Sequence, residues 1–314
     1  RCAQHLYVRD NANTVLFLAH HSNDEFVLNA IAQALHNLFR TRAPIRFEGD
    51  TGGISKIVED APKLIYAGTS PEKSRTVRNK LQDELDDGSD GLLEKEEASE
   101  ELSLIAQLTM LTKTTEILGQ VLKNQYAKIT RSRKEYLLED LFNGPLRAVR
   151  DFFSYFDSNP EALIAEIEAI IARKGKAESE VERKTIARKA AANIVQAVTY
   201  GLLMRAARSA SSDSLLEDVQ AVVKKNGSAA FKMIEVGMLL DSPKAIPKSA
   251  LKHLFGLVQR DVIASRVVQI MVLNHLYMFK TTEPEMQWLS KELQIDLGVQ
   301  HAITYHEKRQ RLAG

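Results

Sequence analysis

The apolar positions of this chain change period partway along it. Residues 14–19 (TVLFLA) form a continuous apolar run of strand length, the pattern of a strand buried on both faces. Ser22 or Asn23 can cap a following helix that carries Phe26, Ile31, Leu35 and Leu38, with Asp24 and Glu25 in its first turn. Residues 44–47 read as a weaker second strand, Gly52-Gly53 opens a short helix to Val58, and residues 63–67 (KLIYA) read as a third strand. Ser70 then caps a helix running to about Leu85, with Pro71 at its first position. Strands alternating with helices at this spacing predict a small three-stranded parallel α/β domain over residues 13–86, joined by right-handed crossovers. Residues 1–12 read as the tail of a preceding segment.

Beyond residue 102 the period is helical throughout, so residues 102–314 are expected to form a larger all-α domain of many helices. A kink or break is expected at Asn143-Gly144-Pro145, where proline removes a helical donor. The domain is organised around residues 190–204, where no charge falls between Lys189 and Arg205. One row of this helix is Ala190, Ile194, Val198, Leu202 and Ala206; beside it lies Ala191, Val195, Leu203 and Ala207. A helix apolar nearly all round is a buried one, and the run falls short of the ~18 residues that suggest a membrane span. Gly201 is expected to let a neighbour approach closely. Between the two domains, residues 87–101 are crowded with acids (Asp87, Asp90, Glu94, Glu96, Glu97, Glu100, Glu101) against a lone Lys95, the composition of a solvated linker.

Composition narrows the function classes. The 314 residues carry a net charge of +1, so no whole-chain field points to nucleic acid or an acidic lipid surface. Cys2 is the single cysteine, which precludes an internal disulfide and suits a reducing, cytoplasmic setting. The chain opens on Arg1 rather than Met, and we expect it to be a fragment or processed piece. Phosphate loops of the G-x-x-x-x-G-K-[ST] and G-x-G-x-x-G types, C-x-x-C and H-E-x-x-H metal motifs and the G-x-S-x-G elbow are all missing, so we expect no catalytic residue and no metal site in this chain. His20-His21 with Asp24 lies at a strand end, where adjacent side chains diverge rather than converge on a metal.

Two weaker candidates remain. Gly68, Thr69 and Ser70 precede a helix N-terminus, where backbone N–H groups attract anions, although Glu72 already complements that dipole. Lys123, Lys128, Arg131, Arg133 and Lys134 cluster around a helix–helix turn with Tyr126 among them; phosphate contact is the sharper reading and a solvated helix end the plainer one. His275, Tyr277, Phe279 and Trp288 read as packing residues.

Two segments carry a family resemblance. One is LFLAHHSNDEFVLNAIAQAL (residues 16–35) followed by APKLIYAGTSPEKSRTVRNKL (residues 61–81). The other is ILGQVLKNQYAKITRSRKEYLLEDLFNGPLRAVRDFF (residues 117–153), with LNHLYMFKT (residues 273–281) further on. Together they resemble the small α/β domain and helical region that follow the nucleotidase core in bacterial signal-transduction ATPases with numerous domains, the STAND class, which includes antiviral sensors. The resemblance implies a non-catalytic, regulatory or target-sensing region. Its ligand would be a protein, a phage protein in the antiviral case, and its role to control homo-oligomerisation of an ATPase core upstream. ATP and magnesium would bind to that core and not to this chain. The readings that compete with it are a free-standing helical interaction scaffold and a small-molecule or anion-binding α/β enzyme.

Overall fold

The computed structural model describes residues 11, 13–15, 17–18, 25–59, 61, 64, 71–77, 79–80, 104–158, 160–173 and 179–293. Of these residues 82% are helical and none is in a strand. The helices are α1 (Glu25–Asn37), α2 (Ile54–Glu59), α3 (Leu104–Asn124), α4 (Arg131–Ser158), α5 (Pro160–Arg173), α6 (Glu180–Ala210), α7 (Leu216–Asn226), α8 (Ala229–Leu240), α9 (Lys248–Val258), α10 (Val262–Met278) and α11 (Glu283–Leu293). Residues 71–77 are also helical.

The three-stranded parallel α/β domain expected from the sequence is therefore not the fold. Residues 13–15 and 17–18 of the first expected strand are helical. A short, uninterrupted apolar run does not distinguish a buried strand from a buried helix, and no neighbouring strand exists among the described residues to decide the matter. The second expected strand, residues 44–47, is irregular because its backbone serves helices instead. Ile45 N donates to Leu146 O at 3.3 Å, and Arg46 O accepts from Ala230 N at 3.2 Å. Phe47 then turns left-handed at φ 59°, which a strand does not allow. Its side chain is buried edge-on against Phe153, centroids 6.4 Å apart. Of the third expected strand only Leu64 is described, without regular structure; the other residues of that strand and the 87–101 segment lie outside the described residues.

The helical half follows its sequence pattern closely. Ser179 caps α6 by accepting from Glu182 N, and Ser228 caps α8 by accepting from Phe231 N. Gly227, at φ 74°, closes α7 in the left-handed conformation that glycine adopts without strain. The break expected at Asn143-Gly144-Pro145 does not occur: α4 runs through Pro145, clamped where Leu35 and Leu111 crowd Gly144.

α6 is the axis. It packs against α2, α3, α4, α5, α8 and α10. Leu202, Leu203, Met204, Ala206 and Ala207 are all buried. One face of the helix nevertheless stays open: Val195 is fully buried, yet Ile194 is 40% exposed, and seven residues further on nothing stands within 4 Å of a Cβ placed on the exposed Gly201. The close approach expected at Gly201 occurs instead at Gly119 of α3, where a Cβ would lie 2.3 Å from Ser209 O. On the other side, α1 packs against α3 and α4, and α2 against α6 and α10. Leu28, Ile31, Leu35, Ile54 and Val58 thereby join one apolar core with the later helices.

Candidate functional site

The basic cluster sits on the turn between α3 and α4. That turn is tied by Gln125 N to Val121 O at 2.9 Å and Lys128 N to Gln125 O at 2.8 Å. α4 begins beyond it, and the helical period then sorts the five cations by direction. Lys134 points inward and is only 6% exposed. Its Nζ lies 3.1 Å from Asp218 Oδ2 on α7 and 3.5 Å from the centroid of the Tyr126 ring. Asp218 is itself buried, so the pair holds α4 to α7 and neither member is offered to a ligand. Arg131 lies on the rim of the same pair, 3.1 Å from Glu135 Oε1 and 3.9 Å from Asp218 Oδ1. Lys123 is half-buried at the end of α3; burial holds its ammonium below the ordinary lysine range, partly offset by Glu116.

Lys128 and Arg133 remain, and both face a cleft of about 440 Å³ between this turn and α1. Glu25, Leu28 and Asn29 line it from α1; Lys128, Ile129 and Arg133 line it from the turn and α4. Arg133 donates to Asn29 Oδ1 and stands over the Tyr136 ring, 5.2 Å from its centroid. Phe26 is 76% exposed and adjoins the Glu25–Asn29 wall; Tyr136 is also exposed. The α1 wall is fixed from below. Arg147, buried, donates to Leu35 O and His36 O at 3.2 Å each, closing the C-terminal end of α1. His36 Nδ1 pairs with Asp140 Oδ1 at 3.1 Å.

The residues lining the cleft include no histidine, cysteine or serine; Thr130 brings a hydroxyl and Glu25 a carboxylate. Its lining combines the apolar Leu28 and Ile129 with the Arg133 guanidinium, the Lys128 ammonium and the Glu25 carboxylate, and the exposed Tyr136 ring lies beside Arg133. Gly68, Thr69 and Ser70, and the His20, His21 and Asp24 group, lie outside the described residues. Among the described residues no three His, Cys, Asp or Glu side chains are grouped to hold a metal, and no helix is long and apolar enough to cross a membrane.

Glu25, Leu28, Asn29 and Ile129 escape a reading of the sequence. The alternation around α1 suggested that it covers a sheet, whereas it lies on α3 and α4. The available signal was the narrow apolar stripe Leu28, Ile31, Ala32 and Leu35, which leaves Glu25 and Asn29 on its edge. Comparison with protein-family models, curated proteins and solved structures finds no match.

Proposed function

We propose that this chain is a non-catalytic, target-binding helical region that holds a protein ligand in the cleft between α1 and the α3–α4 turn. The supporting observation is the character of that cleft. Arginine and aromatic side chains dominate the binding energy of protein interfaces; Arg133 lines the cleft beside the exposed Tyr136 ring, and Phe26 is exposed on α1 next to the lining residue Glu25. A nucleic-acid surface is the poorer reading, because Lys134 and Arg131 are neutralised by Asp218 and Glu135.

The wider setting we propose is the sensing part of a STAND-type NTPase acting in the cytoplasm, with a phage protein as ligand in antiviral defence. Binding there would control homo-oligomerisation of an upstream core that carries ATP and magnesium. This setting rests on residues 117–153 and 273–281, which span the end of α3, most of α4 and the end of α10 with the residues just after it. The other half of the resemblance implied an α/β unit, and the described residues are helical instead. That favours, as a second reading, a helical interaction scaffold outside any such NTPase. Both readings share the cleft.

The test is selection of a displayed peptide library on the immobilised chain, repeated with Tyr136→Ala. Enriched peptides should compete with one another for one site and bind Tyr136→Ala about ten-fold less well, the usual consequence of losing an interface aromatic. Absence of enrichment over an unrelated helical protein would remove the binding reading. ATP turnover by the purified chain, abolished by a single substitution within it, would remove the non-catalytic one.

A further inference from the structure

We infer that the cleft is a carboxylate site: it takes an acidic side chain of the partner, received by the guanidinium of Arg133, beside an apolar side chain seated on Leu28 and Ile129. This rests on the reading of the cleft as a protein-binding surface and specifies its ligand.

The argument begins with what distinguishes Arg133 from its neighbours. Arg131 and Lys134 each have a carboxylate within reach, at 3.1 Å in both cases. Among the described residues the contacts of Arg133 are with neutral groups only, the Asn29 side-chain oxygen and the face of Tyr136. A guanidinium carries five N–H donors in a rigid fork, and one acceptor oxygen leaves most of that capacity unused. The Tyr136 ring holds the group in place, so a bidentate carboxylate would meet a donor pair already oriented. The group is half-buried at a cleft wall, where an ion pair is screened less than on open surface.

The opposite wall sets the limit on charge. Glu25 lies in the same cleft and repels a polyanion, whereas it can accept backbone N–H groups of a peptide carrying one or two acids. Leu28 and Ile129 supply an apolar floor that a phosphate chain has no use for. The ligand class is therefore a peptide that alternates acidic and apolar side chains, not a nucleic acid.

Three labelled probes decide it by fluorescence anisotropy: the peptide Gly-Leu-Glu-Gly-Leu-Glu-Gly, its glutamine counterpart, and a thymidine oligonucleotide. The glutamate peptide should bind saturably and roughly ten-fold or more tighter than the glutamine peptide, the range of a charge-assisted hydrogen-bond pair. Arg133→Gln, shown to be folded by circular dichroism, should erase that difference. Equal binding of the two peptides overturns the inference and leaves the peptide-binding reading standing. The same holds for a glutamate preference that survives in Arg133→Gln, or for tighter binding of the oligonucleotide through Arg133. Failure of both peptides also overturns it, and the library selection then decides whether the cleft binds peptides at all.

Discussion

Asp261 is a buried carboxylate at the start of α10 with two tasks. Its Oδ1 accepts from Ala264 N at 2.9 Å, capping the helix, and its Oδ2 accepts from Thr51 Oγ1 at 3.3 Å, tying the loop before α2 to that cap. Burial pushes its carboxyl above the ordinary aspartate range, and nearby Asp50 adds to the rise. A group whose folded-state value is raised contributes stability below its unfolded value and loses it as pH climbs through the folded one. The charged form at neutral pH is thus the less favourable form of this residue. Asp261→Asn keeps a capping oxygen and removes the buried charge, so its melting temperature at neutral pH should equal or exceed that of the native chain. The native chain should gain on this variant as pH falls from neutrality toward the ordinary aspartate value. Asp261→Ala loses the cap and should cost about 0.5–2 kcal/mol. Thermal melts of the three proteins across that range check all three expectations; a native chain that loses ground to Asp261→Asn on acidification would show the sign to be wrong. Asp261 could not be singled out from its sequence, because its burial depends on the distant loop at Thr51.

Among the elements, glycine positions separate contact from exposure. A Cβ on Gly119 would stand 2.3 Å from the backbone oxygen of Ser209, so Gly119→Ala must push α3 away from α6. Overpacking of this kind typically costs 1–3 kcal/mol. Gly201→Ala meets nothing within 4 Å and lies exposed in a helix interior, where alanine should stabilise by roughly 0.8–1 kcal/mol. Urea midpoints should move in opposite directions; a common direction would mean that the α3–α6 contact is misplaced. These two residues also show what the sequence discloses. The existence of α3 to α11 was legible from helical period and from caps such as Ser228. Which glycine meets a neighbour was not, since both sit in similar apolar surroundings along the chain. The N-terminal region misled for a different reason. Its apolar runs are too short to carry a period, and residues 44–47 take their backbone partners from α4 and α8, far along the chain. Of the candidate site, the turn and its cations were legible, but the inward direction of Lys134 and the α1 wall depend on tertiary contacts that no local pattern encodes.

At the scale of the whole molecule, α6 is the element on which the rest depends. α2, α3, α4, α5, α8 and α10 all contact it, and α1, which forms one wall of the cleft, packs against α3 and α4. The cleft therefore exists only while α6 keeps its buried face toward α3 and α4. Adjacent residues report that face. Val195 is fully buried and Ile194 is 40% exposed, one helical step apart. A carboxylate at the first has no partner and costs several kcal/mol, a large part of the ~5–15 kcal/mol that holds a domain together. At the second it meets water, and the expected cost is about 0.5 kcal/mol. The decisive measurement is urea unfolding of Val195→Asp and Ile194→Asp side by side, followed by circular dichroism. A midpoint lowered severely for Val195→Asp and barely for Ile194→Asp is the expected result; equal shifts, or the reverse order, would contradict the orientation of α6 and the architecture that places the cleft.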